Sequence, residues 1–104
     1  MKALSSSEFK DVICKDKTVL VDFYANWCLP CRYLQPVLEK FENEFNGKIE
    51  FYKLDIDKNR EIAIEYGITS IPTVLIFRKG KVIGGFVGAL PEEMVKKEIK
   101  KALD

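Results

Sequence analysis

The spacing of apolar and polar positions changes several times along the chain, and each change marks an element. Ser5 to Glu8 has the form of a capping box, after which Phe9, Val12 and Ile13 give a short helix one apolar face. Met1 to Leu4, ahead of it, is a candidate short extra strand. Thr18 to Tyr24 reads Thr-Val-Leu-Val-Asp-Phe-Tyr, nearly all β-formers without strict alternation, as in a strand covered on both faces. From about Cys28 the period becomes helical, with Leu34, Val37, Leu38, Phe41 and Phe45 on one side. Pro36 falls inside this helix and should kink it by removing one hydrogen bond, and Asn46-Gly47 stops it. Ile49 to Ile56 reads as a second buried strand, followed from about Asn59 to Tyr66 by a short helix closed by Gly67. Thr73 to Phe77 and Val82 to Val87 are strands joined by Arg78-Lys79-Gly80-Lys81, a hairpin signal. Pro91 opens a last helix, where proline is tolerated, and its expected buried stripe is Val95, Ile99 and Leu103, with Met94 and Ala102 beside it.

Strand–helix–strand units imply parallel pairing, and the hairpin adds an antiparallel edge. The expected architecture is α/β: a central mixed sheet of four to five strands, flanked by four helices on both faces. The chain has 104 residues, 47% of them hydrophobic, which fills one core and leaves no room for a second. Residues 1–104 are therefore read as a single domain.

Composition narrows the function. The formal net charge is +1, and no dense basic stripe of the kind that binds nucleic acid is present. The apolar runs are too short to span a bilayer, and Met1 to Ser7 holds no apolar segment of signal-peptide length. The expectation is a cytoplasmic protein that engages neither membrane nor nucleic acid. Histidine is absent and Gln35 is the only glutamine, while Lys, Glu and Ile are abundant, the lean of heat-adapted proteins.

In a reducing compartment a close pair of cysteines is more often catalytic or metal-binding than structural. Such a pair lies in Trp27-Cys28-Leu29-Pro30-Cys31, between a buried strand and a helix. The first turn of a helix offers free N–H groups and the positive end of the dipole, so Cys28 should have a lowered pKa and react near neutral pH. Cys31 follows about one turn later, at a spacing that puts β-carbons roughly 5–6 Å apart, close to disulfide reach. The competing reading is half of a zinc site. Structural zinc takes four ligands, and here only Cys14 and no His remain to complete them, so no metal is expected.

Asp22 is the second informative residue, because a carboxylate inside a doubly covered strand is costly to bury ionised and should have a raised pKa. Such a breach of local design marks a candidate for function. The plainer reading pairs it structurally with Lys53, which interrupts the next strand; both hold if Lys53 tunes Asp22. Cys14 belongs to the first short helix. It reads as a small, half-buried apolar residue, with a regulatory or intermolecular disulfide as the alternative.

Val21-Asp22-Phe23-Tyr24-Ala25-Asn26-Trp27-Cys28-Leu29-Pro30-Cys31 resembles the active-site segment of the thioredoxin family. Lys53-Leu54-Asp55-Ile56-Asp57, Tyr66-Gly67-Ile68, Ile71-Pro72-Thr73 and Val87-Gly88-Ala89-Leu90 match further family motifs in the family's order, so the resemblance covers essentially the whole chain. It implies that Cys28 attacks a target disulfide and Cys31 resolves the mixed disulfide. Asp22, with Lys53 beside it, matches the buried acid that relays a proton to or from the resolving thiol. The peptide before Pro72 would be cis and lie against the cysteines. Trp27, Leu29, Pro30, Ile71, Pro72, Val87, Gly88 and Ala89 would line a shallow apolar surface for an extended substrate segment, where the plainer reading of the aliphatic members is core packing.

The implied partners of this expected monomer are disulfide-containing proteins and a separate thioredoxin reductase. No nucleotide or flavin signature is present, and the redox-active group is the Cys28–Cys31 pair, without a cofactor. Leu29 departs from the family, which has Gly-Pro between its cysteines, and it adds exposed apolar surface beside the nucleophile. Two other functions compete with a disulfide reductase: a disulfide oxidase or isomerase of the same fold, and a non-catalytic binding module. Oxidants of this fold commonly carry His between the cysteines, which this chain does not.

Overall fold

Local chemistry sets several element ends. In the computed structural model, which describes Met1–Asp104, Ser5 caps the first helix reciprocally. Its hydroxyl accepts the Glu8 N–H at 3.2 Å, and the Glu8 carboxylate accepts the Ser5 N–H at 3.0 Å. In the hairpin, Lys79 and Gly80 both have positive φ, 52° and 80°, between the paired residues Arg78 and Lys81. That is the two-residue turn whose twist suits flanking strands. The Lys79 and Gly80 amides donate to the carbonyls of Lys15 and Ile13, so the turn is anchored to the end of the first helix.

The elements are β1 (Lys2–Ala3), α1 (Ser6–Ile13), β2 (Thr18–Tyr24), α2 (Leu29–Glu44), β3 (Ile49–Asp55), α3 (Arg60–Glu65), β4 (Thr73–Arg78), β5 (Lys81–Val87) and α4 (Glu92–Leu103). The strands form one sheet in the order β1-β3-β2-β4-β5; β1 and β2 run parallel to β3, and β4 and β5 are added antiparallel. The candidate N-terminal strand is thus real, and it lies at the sheet's outer edge beside β3.

Alternation along β2 divides the core into two layers. Leu20 joins Leu34, Leu38 and Phe41 of α2 and Val95 and Ile99 of α4 on one face. Val19, Val21 and Phe23 join Phe9 and Ile13 of α1 and Ile62 of α3 on the other. Asp22 has the parity of Leu20, so it lies on the face that α2 covers.

Three expectations need correction. Cys14 is exposed rather than half-buried: it is the C-cap of α1, whose buried positions are Phe9 and Ile13, and the next residue turns away from the core. Leu103 is 37% exposed, and Met94 is exposed too, so the buried stripe of α4 is Val95 and Ile99. Close packing ends at Ala102, whose Cβ would lie 2.9 Å from a Cβ placed on Gly84. Pro91 is the N-cap of α4 and not its first helical residue, because its ψ of 149° is extended.

Candidate active site

Buried strand β2 ends at Tyr24, and after a short turn Cys28 becomes the N-cap of α2, with an extended backbone of φ −89° and ψ 109°. Pro30 follows in the first turn, where its missing N–H costs nothing. Cys28 Sγ accepts the Cys31 N–H at 3.2 Å. The two sulfurs are joined in a disulfide, with the Cα atoms 5.3 Å apart. In this oxidised form Cys28 and Cys31 are equally buried, each 4% exposed.

Around the disulfide, Ala25, Tyr24, Ile56 and Ile71 pack against the two cysteines. Cys28 Sγ lies 3.8 Å from the Ile71 carbonyl oxygen. The Ile71–Pro72 bond is cis, and the Pro72 carbonyl accepts the Gly88 N–H at 2.7 Å. That bond ties the segment after β5 to the segment before β4. Gly88 has a φ of 92°, a left-handed value that favours glycine. Val87 and Ala89 are exposed, Ile71 and Gly88 are half-buried, and Pro72 is buried. Trp27 and Leu29, 69% and 55% exposed, stand on either side of Cys28 in sequence. A hollow of about 640 Å³ lies at the opposite end of β2 and β3, lined by Lys17, Glu50 and other charged residues.

Asp22 is 2% exposed, and its Oδ1 has no hydrogen-bond partner. Burial raises its pKa to about 7, with Lys53 pulling the other way. Lys53 is opposite Asp22 in the β2–β3 register but forms no ion pair with it. Its ammonium lies 5.2 Å from the centre of the Tyr24 ring. The expected structural pair is therefore replaced by a field acting across the sheet.

Asp57 carries a contact that sequence reasoning did not assign. The Trp27 indole N–H donates to its carboxylate at 2.8 Å, and the Asp57 N–H donates to Asp55 Oδ1 at 2.9 Å. Both acids belong to the recognised Lys53–Asp57 motif, but no sequence pattern links them to an indole thirty residues away.

The thioredoxin family model matches residues 1–101. The chain belongs to the thioredoxin family. It is 49% identical over 89 residues to a thioredoxin of Chlorobaculum thiosulfatiphilum, an alignment covering 86% of this chain and 82% of that one. It is 41% identical over 101 residues to thioredoxin 1 of Nostoc, covering 96% and 94%. The solved thioredoxin of Malassezia sympodialis superposes with a TM-score of 0.88 at 37% identity, covering 97% and 92%. The fold is thus the thioredoxin fold. The protein is a thiol–disulfide oxidoreductase of the protein-disulfide reductase kind, with Cys28 and Cys31 as its redox-active pair. Its family's partners are disulfide-containing targets and thioredoxin reductase. No helix is long and apolar enough to cross a membrane.

Proposed function

We propose that the chain is a dithiol reductant in which Cys28 attacks and Cys31 resolves. The observation that carries this reading is Cys28 at the N-cap of α2, its sulfur facing the Cys31 amide at 3.2 Å. An N–H aimed at the sulfur and the positive end of the helix dipole both favour the thiolate, which is the attacking form. The Cys28 thiolate attacks one sulfur of a target disulfide and forms a mixed disulfide, and the target's other sulfur leaves as thiolate. The Cys31 thiolate then attacks Cys28 Sγ, releases the second target sulfur and closes the Cys28–Cys31 bond. Two electrons pass to the target, and a reductase returns them.

Asp22 exchanges a proton with the Cys31 thiol in this scheme. A pKa of about 7 suits a group that must give and take a proton near neutral pH. Lys53 is a positioning residue that keeps that value from rising further. Trp27, Leu29, Pro30, Ile71, Pro72, Val87, Gly88 and Ala89 receive an extended target segment, whose backbone supplies affinity with little demand on sequence. The protein acts as a monomer, without a cofactor. A reductant needs a compartment that keeps dithiols reduced, which favours the cytoplasm.

Single Cys→Ser variants test the roles. Cys28→Ser should abolish turnover in an insulin-reduction assay with dithiothreitol and trap almost no partner from cell lysate. Cys31→Ser should stall after attack and retain targets that dithiothreitol releases. Cys14→Ser should match the parent in both assays. Trapping by Cys28→Ser with none by Cys31→Ser would reverse the assignment.

A further inference from the structure

The outward face of α2 is apolar only where it adjoins the cysteines. Leu29 and Tyr33 are 55% and 68% exposed, and Pro36 is exposed as well. Their spacing, i, i+4 and i+7, puts them on one face over roughly 10 Å of helix. The helix's other face, Cys31, Leu34, Leu38 and Phe41, is the one buried in the protein. Further along, the outward face becomes polar with Lys40 and Asn43, as a solvated face ordinarily is. The cations that could shield the apolar half are held elsewhere. The Arg32 guanidinium donates to the Asn26 carbonyl at 2.9 Å, and the Lys40 ammonium pairs with Glu92 at 2.6 Å.

We infer that Leu29, Tyr33 and Pro36 form a docking ridge for apolar side chains of the target protein beside its disulfide. The ridge begins between the two redox-active cysteines. The protein's own reaction brings a target chain to bonding distance of Cys28, and Leu29 is the next residue. An apolar strip continuous with that contact is covered whenever a target is bound, and water leaves it then. Leu29 fixes where the ridge starts, and Tyr33 supplies its largest side chain and a rigid aromatic anchor. The partner is thus a protein whose cystine is flanked by apolar or aromatic residues. This inference rests on the reductant reading above.

Two cystine peptides test it, identical except that the two residues beside the cystine are Leu-Phe in one and Ser-Gln in the other. The parent should reduce the Leu-Phe peptide with a kcat/KM roughly tenfold higher, mostly through KM. Tyr33→Ser should lose most of that preference and reduce the Ser-Gln peptide at the parent's rate. Tyr33→Phe, which keeps the aromatic surface, should keep the preference. No preference in the parent would overturn the ridge, as would a preference that survives Tyr33→Ser or disappears in Tyr33→Phe. An equal loss on both peptides in Tyr33→Ser would also overturn it, because the substitution would then be acting on the reactive pair. Failure of the parent to reduce either peptide would refute the reductant reading itself.

Discussion

At the scale of single residues, Asp22 shows what burial does to an acid. Its carboxylate is removed from water, has one oxygen without a partner, and feels the Lys53 charge only as a field. The folded pKa, about 7, is above the ordinary aspartate value of 3.8, so the folded state holds the proton more tightly than the unfolded one. The associated stability is fully present below the unfolded pKa and is lost as pH rises through the folded pKa. Its size, from a shift of that order, is roughly 4 kcal/mol. Asp22→Asn should therefore raise stability by about 1–3 kcal/mol at pH 8, and the gain should fade toward pH 4. Urea unfolding of both proteins across that range checks the sign. The same substitution should slow disulfide exchange between pH 6 and 8, and an unchanged turnover rate there would remove Asp22 from the proton relay. The raised pKa was legible in the sequence, because an acid in an unbroken run of β-formers has nowhere to go but inward. The absence of an ion pair with Lys53 was not, because register fixes which residues are neighbours but not where a long flexible side chain comes to rest.

At the scale of elements, α2 and β5 contrast. The start of α2 follows from local rules: a capping residue, a proline in the first turn and an apolar period that resumes at Leu34. β5 depends on its neighbour. Gly85 has a φ of 152°, and a Cβ there would collide with the Val74 carbonyl oxygen and lie 3.2 Å from Leu75 Cα. Both contacts are backbone of the adjacent strand, so no side chain can move aside to relieve them. Gly85→Ala should cost about 2–4 kcal/mol of stability, measured by denaturant unfolding. A cost below half a kcal/mol would mean that β5 shifts freely on β4. From the sequence, Gly84-Gly85 in the middle of a strand only weakens the strand pattern. The need for glycine appears once the backbones are paired, with a register shift between Ile76 and Phe77.

At the scale of the whole molecule, the two layers of core have different duties. The cysteines sit in a small cluster of their own with Ala25, and the layer under α2 holds that helix and α4 against the sheet. In the other, Phe9 of α1 meets Phe23, Tyr66 and Phe77 edge-on, with ring centres 6.0, 5.5 and 5.6 Å away, and so joins α1 to β2, β4 and the end of α3. Phe9→Ala should cost about 3–5 kcal/mol. The insulin-reduction rate of the protein that remains folded should be unchanged, because no contact of Phe9 reaches the disulfide. A lower melting temperature with an altered rate would couple the two layers and contradict this.

The element order, the mixed sheet, the cysteine pair at a helix start and the buried acid are all legible along the chain. Each depends on residues close in the chain or on a periodicity that burial imposes. Which groups from distant segments meet is set by the packed fold. The Trp27 indole finds Asp57, Gly88 bonds to Pro72, and Cys14 is left facing solvent. These contacts depend on how strands and loops pack in three dimensions, and a chain pattern with a period of two or 3.6 residues carries no record of that packing.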